Sequence, residues 1–126
     1  MMQHVVRLVF LCGVLLWATG CHTITNLTPA SLPRNPSGLY PVEVKFDHRE
    51  QALRQDSIRP LVMINDQTFP MERTRLMRNR WETLIPVPAD QKEVYYRFKF
   101  EYWVNAFPEP RQDSKLSPTY KLTIKD

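Results

Sequence analysis

The chain has 126 residues, 43% hydrophobic and 24% charged, enough for one modest core, so a single domain is the natural count. Seventeen Lys or Arg against thirteen Asp or Glu give a net charge of +4, a mild excess that suits an anionic membrane surface or an acidic glycan. Cys12 and Cys21 are the only cysteines, which excludes a disulfide framework, and with three glycines the turns are expected to rest on Asn, Asp and Pro.

Met1 to Arg7 carries one side-chain cation and no acid, Leu8 to Trp17 is a ten-residue run without a charge, and Ala18, Thr19 and Gly20 are small or short. This is the plan of a secretory signal: a basic start, an apolar stretch and a small-residue cleavage site. The apolar run is too short to span a bilayer, which takes about 20 such residues. With Cys21 directly after Gly20, the segment resembles the lipobox of bacterial lipoproteins, Ala18 standing where leucine is commonest. The resemblance implies that residues 1–20 are cut away, that the Cys21 thiol is diacylated and that the new amino terminus is acylated too. Acyl chains contribute about 0.8 kcal/mol per buried methylene, and two or more anchor a protein firmly without spanning the membrane. In lipoproteins of enteric bacteria an aspartate after the cysteine favours the inner membrane. His22 in that place implies the outer membrane, at its periplasmic face or at the cell surface.

His22 to Ser37 is rich in Thr, Asn, Pro and Ser and has neither helical nor alternating periodicity. Residues 21–37 are therefore expected to be the lipidated cysteine and a flexible tether, about 20 Å from end to end. Asn26-Leu27-Thr28 fits a glycosylation sequon, a match that arises readily by chance. The folded domain is expected over residues 38–126. Val42, Val44 and Phe46 alternate with Glu43 and Lys45, the period of a half-buried strand. Asp47 to Ser57 is strongly polar and predicts a loop, or one or two turns of exposed helix, with little share in the core. Leu61 to Ile64 predicts a strand, Asn65-Asp66-Gln67 a turn, and Thr68 to Glu72 a return strand that Pro70 marks as an edge.

Arg75 to Val87 predicts two short strands or one bent strand, since Trp81, Thr83 and Ile85 alternate with Glu82 and Leu84 before Pro86 and Pro88 end the pattern. Ala89 to Lys92 is the next turn. Glu93 to Val104 is the clearest element, with Val94, Tyr96, Phe98, Phe100, Tyr102 and Val104 on one face, and predicts the central core strand. Asn105 to Pro118 predicts a long proline-bearing loop, and Tyr120, Leu122 and Ile124 a last strand. About seven short strands with no long helix predict an all-β fold, a single antiparallel β-sandwich. From Tyr40 to Ile124 the body resembles immunoglobulin-like or fibronectin-type sandwiches in architecture, which by itself implies no function.

Catalytic chemistry finds little support. His48 is the only histidine of residues 38–126, so no histidine cluster for a metal and no Cys and His pair is expected. Ser31, Ser37, Ser57, Ser114 and Ser117 lie outside any nucleophile-elbow pattern, and the spacing of the carboxylates singles out no pair. Neither enzyme activity nor a metal or cofactor is expected.

Two features are candidates for binding. Trp81 beside Ile85-Pro86-Val87-Pro88, with Tyr95 and Trp103 opposite the core face of the central strand, resembles the tryptophan, hydrophobic-proline and tyrosine-rich run of starch-binding modules. That resemblance implies rings stacked on sugar C–H surfaces; the alternative is that Trp81 is a core tryptophan and the other two rings pack under a loop or second sheet. Arg73, Arg75, Arg78 and Arg80 lie within eight residues, and their forked guanidinium groups suit phosphate or carboxylate partners. Strand alternation divides them into two pairs unless a bend intervenes, and they also suit a solvated edge that resists aggregation. The expected protein is thus an envelope lipoprotein, non-catalytic, acting as a structural or protein-interaction module, with a glycan-binding module as the alternative. Nucleic acid is not an expected partner for an exported chain.

Overall fold

The computed structural model describes residues 22–126, so the expected signal and Cys21 lie outside the described residues. Two sheets face each other. The first contains β1 (His22–Asn26), β3 (Leu39–His48), β6 (Glu72–Arg73) and β7 (Arg80–Pro86), in the spatial order β1-β3-β7-β6. The second contains β2 (Ser31–Pro33), β4 (Arg59–Ile64), β5 (Gln67–Pro70), β8 (Glu93–Val104) and β10 (Tyr120–Lys125), in the order β2-β10-β8-β4-β5. A further strand, β9 (Arg111–Leu116), also pairs with β8. Among the described residues no helix is long and apolar enough to cross a membrane.

Alternation decides what faces the core. Tyr40, Val42, Val44 and Phe46 of β3 are at most 1% exposed, and the six residues expected on the inner face of β8 are at most 4% exposed. Between the sheets Phe46 stacks on Phe100 with centroids 4.3 Å apart, and Trp81 meets Phe100 edge-on at 5.6 Å. Burying each such ring contributes about 1.5–3 kcal/mol relative to leaving it in water. Along one side of β8, β10 pairs with Glu93–Tyr96 and β9 with Lys99–Val104. Buried Ser117 bridges the gap: the Phe98 N–H donates to its Oγ (2.8 Å) and its own N–H donates to the Phe98 carbonyl (2.9 Å). As Pro70 predicts, β5 is an edge strand, and the chain then crosses to the first sheet at buried Met71.

Three segments differ from expectation. The expected tether is woven into both sheets: β1 pairs antiparallel with β3, from His22↔His48 to Asn26↔Val44, and β2 pairs parallel with β10. Its inward positions are His22, Ile24 and Asn26, of which only one is aliphatic. Asn26 donates from Nδ2 to the Tyr96 hydroxyl (2.9 Å), and Thr28 Oγ1 both accepts from the Glu43 N–H and donates to the Glu43 carbonyl. The sequon residues therefore act as structural linkers between strands. Asp47 to Ser57 is not wholly peripheral: β3 continues to His48, Leu53 is buried and bridged to Val104, and Gln55–Ser57 forms one 3-10 turn. Part of the expected loop 105–118 is β9, whose residues are exposed on both faces and so carry no apolar alternation.

β3 spans the sandwich from one pole at Leu39 to the other at His48, about 30 Å apart at the usual strand rise.

Candidate interaction surfaces

The pole at the His48 end is assembled from distant pieces of chain. The His22 ring stacks on Tyr102 (5.6 Å, 22°) and lies 6.4 Å from the His48 ring, its partner across the β1–β3 ladder. His22 Nε2 is 3.6 Å from Glu50 Oε2, and Glu50 Oε1 is 3.9 Å from Arg111 Nη2. His48 Nε2–H donates to Gln55 Oε1 at 2.8 Å. Burial pulls the His22 pKa below 6.5; Glu50 opposes that shift and His48 adds to it. The Tyr102 phenol is pushed up, first by burial and then by Asp113 and Glu50. Expected to lie apart, His22 and His48 are thus neighbours, because β1 replaces the tether. Among the described residues no group of three or more His, Cys, Asp or Glu is placed to hold a metal.

Two loops meet this pole. In the β6–β7 turn the Thr74 N–H donates to the Arg80 carbonyl, and Asn79 ties the turn to β3 by accepting the Phe46 N–H and donating to Asp47 Oδ1. The β8–β9 loop, residues 105–110, is held by the Asn105 N–H donating to the Ala52 carbonyl. At the tips Leu76 is 96% and Phe107 98% exposed, and Leu76 has a positive φ of 65°. Arg49, Arg54, Arg75, Arg78 and Arg111, all exposed, belong to this pole with Lys45 and Lys115, against the carboxylates of Asp47, Glu50, Asp56, Glu109 and Asp113. A bend does intervene between the two pairs of arginines, and it is this turn. It carries Arg75 and Arg78, while Arg73 lies on β6 and half-buried Arg80 opens β7.

The second surface is the outer face of the β3–β7 pair, toward the other pole. Register sets Leu39 opposite Pro86 and Pro41 opposite Leu84, and all four are exposed, Leu39 by 39% and Leu84 by 54%. The next outward row is Glu43, Glu82 and Glu72, each directly opposite the next across three strands. Like charges so placed are destabilising. Among the described residues none of these three carboxylates lies within 4.0 Å of a cationic group. Pro41, Leu84, Glu72 and Glu82 line one shallow concavity.

The aromatic candidates do not come together. Trp81 is a core residue, 3% exposed. Tyr95 and Trp103 are 54% and 42% exposed but lie eight residues apart on the outer face of β8, about 27 Å at the rise of a strand. Arg97, Lys99 and Glu101 stand between them, so the three rings form no common platform for a sugar. Sequence reasoning missed Leu39, Pro41, Leu76 and Phe107 as surface features, and placed Pro86 in the sugar-binding candidate instead. For Leu84 the signal was present, since Trp81, Thr83 and Ile85 turned inward leave it facing out.

Two sheets, antiparallel but for the β2–β10 pair, packed face to face around one core define an immunoglobulin-like β-sandwich. A solved structure of murine CRIg is similar, with a TM-score of 0.51 and 12% identity over 85% of this chain and 100% of that one; at this identity the likeness shows the fold alone. No family model and no curated protein matches the chain.

Proposed function

We infer that this is a bacterial envelope lipoprotein, anchored by acyl chains on Cys21, that works without catalysis by receiving a protein partner on the outer face of β3 and β7. The observation that carries the reading is the exposed apolar group Leu39, Pro41, Leu84 and Pro86 beside the unpaired row Glu43, Glu82 and Glu72. Packing within the sandwich uses neither. Apolar side chains at the centre of an interface supply most of its binding energy, and like charges gathered at its margin select a partner of opposite sign. The partner therefore offers apolar anchors flanked by Lys or Arg. The non-catalytic part of the reading rests on the fold class, in which binding through faces, edges and loops is the usual work.

A photo-crosslinking residue at position 84 in the native cell envelope tests this reading. A recurrent protein adduct that disappears with Glu82→Lys is expected. An adduct pattern unchanged by Glu82→Lys, or recovery of peptidoglycan or polysaccharide in place of protein, would sink it.

A further inference from the structure

Because His22, the residue after Cys21, is already paired with His48, an anchor at Cys21 lies within one Cα step of the His48 pole, about 3.8 Å. A tether would have let the domain swing freely. Pairing of His22 with His48 and stacking on Tyr102 remove that freedom, so the pole itself must meet whatever surface holds the acyl chains.

The chemistry of the pole fits such a surface. Leu76 and Phe107 are the most exposed large apolar side chains among the described residues, and both sit at loop tips on this pole. Leu76 also occupies a left-handed backbone region that disfavours a branched apolar side chain, so neither solvent nor local conformation accounts for a leucine there. With Lys45 and Lys115 added to the five arginines, the rim holds seven cations against the five carboxylates of Asp47, Glu50, Asp56, Glu109 and Asp113 and is basic by two; Glu50 is engaged with His22 and Arg111, and Asp47 with Lys45. Apolar tips set in a cationic rim are the pattern of an interfacial contact with anionic lipid.

We propose that the His48 pole rests on the bilayer that carries the Cys21 acyl chains, with Leu76 and Phe107 inserted at the level of the headgroups and Arg49, Arg54, Arg75, Arg78 and Arg111 on anionic lipid. The domain stands upright, with the docking group of Leu39, Pro41, Leu84 and Pro86 held toward the end far from the membrane. This deepens the proposed function and rests on the anchor at Cys21.

The test uses the full chain, extracted from membranes and reconstituted into vesicles of phosphatidylethanolamine and phosphatidylglycerol containing a brominated lipid. Acylation blocks Cys21, so Phe107→Cys and Leu84→Cys each offer one thiol for a fluorophore, at positions exposed enough that neither change disturbs the core. Loss of emission from the label at position 107, none at position 84, and a weaker loss at 107 when phosphatidylglycerol is omitted are expected. A label at 107 that stays unquenched on protein whose intact mass shows acylated Cys21 overturns the pole contact and leaves the anchor standing. Equal quenching at 84 and 107 overturns the upright orientation, and quenching at 107 that is indifferent to phosphatidylglycerol overturns the part given to the arginines. An intact mass without acyl groups overturns the anchor, and this proposal with it.

Discussion

Two turns at opposite poles hold a residue other than glycine in the left-handed region: Asn65, at φ 53° between β4 and β5, and Leu76, at φ 65° between β6 and β7. Asparagine is at home there, since its short polar side chain tolerates this conformation. Leucine carries a strain of about 1–3 kcal/mol and recovers nothing by packing, being almost wholly exposed. The same contrast extends to the neighbouring loops. At the Leu39 pole the turns are polar, and Arg34 Nε–H donates to Asp126 Oδ1 at 2.9 Å, which holds the Asp126 carboxyl below its usual range. At the His48 pole Phe107 stands in solvent. One pole ends in polar turns, the other in turns tipped by exposed apolar side chains.

Loose packing beneath the His48 pole would undo that contrast, and Phe46→Ala measures it. Stacked on Phe100 and in contact range of Tyr102 and His22, Phe46 should cost about 3–5 kcal/mol in chemical unfolding when truncated. A loss below about 1 kcal/mol would mean a poorly packed end whose exposed side chains need no partner. Exchanging the turn residues sharpens the comparison: Leu76→Asn should gain about 1 kcal/mol by relieving strain, and Asn65→Leu should lose a similar amount. If Leu76→Asn destabilises, the leucine serves the fold after all.

The smallest effect expected is on pH dependence. Burial lowers the pKa of His22 in the folded state, so the unfolded chain binds more protons over this range and stability rises with pH. The contribution is present above the ordinary histidine value of 6.5 and is lost as pH falls below it through the lowered folded value. His22→Phe should flatten that part of the melting temperature against pH while keeping a ring on Tyr102. A wild-type chain that gains stability on acidification would show that Glu50 outweighs burial.

Much of the sandwich was legible because burial on one face imposes a period of two. β8 and the inner side of β3 follow that rule from end to end, and β7 does so from Trp81 to Ile85. β1 escaped because its inward side chains solve the packing problem with a histidine and an asparagine, which read as linker composition. β9 escaped because an edge strand exposed on both faces has no period to show. The arginine cluster was visible, whereas the placement of Arg78 near His48 and Gln55 depends on how the β6–β7 turn folds against the end of β3. Leu76 and Phe107 lie in loops, where no alternation says which way a side chain points.

The direction of β1 also determines how the molecule would bear a pull. With the proposed anchor at its His22 end and a load applied near Leu39 and Leu84, β1 and β3 would be drawn past each other along their length. Hydrogen bonds in an antiparallel ladder lie across the strands, so the five register pairs from His22↔His48 to Asn26↔Val44 share that force in shear. An anchor at the Asn26 end would peel the same pairs away one at a time. Strand order and the proposed site of attachment would together make β1 a mechanical latch.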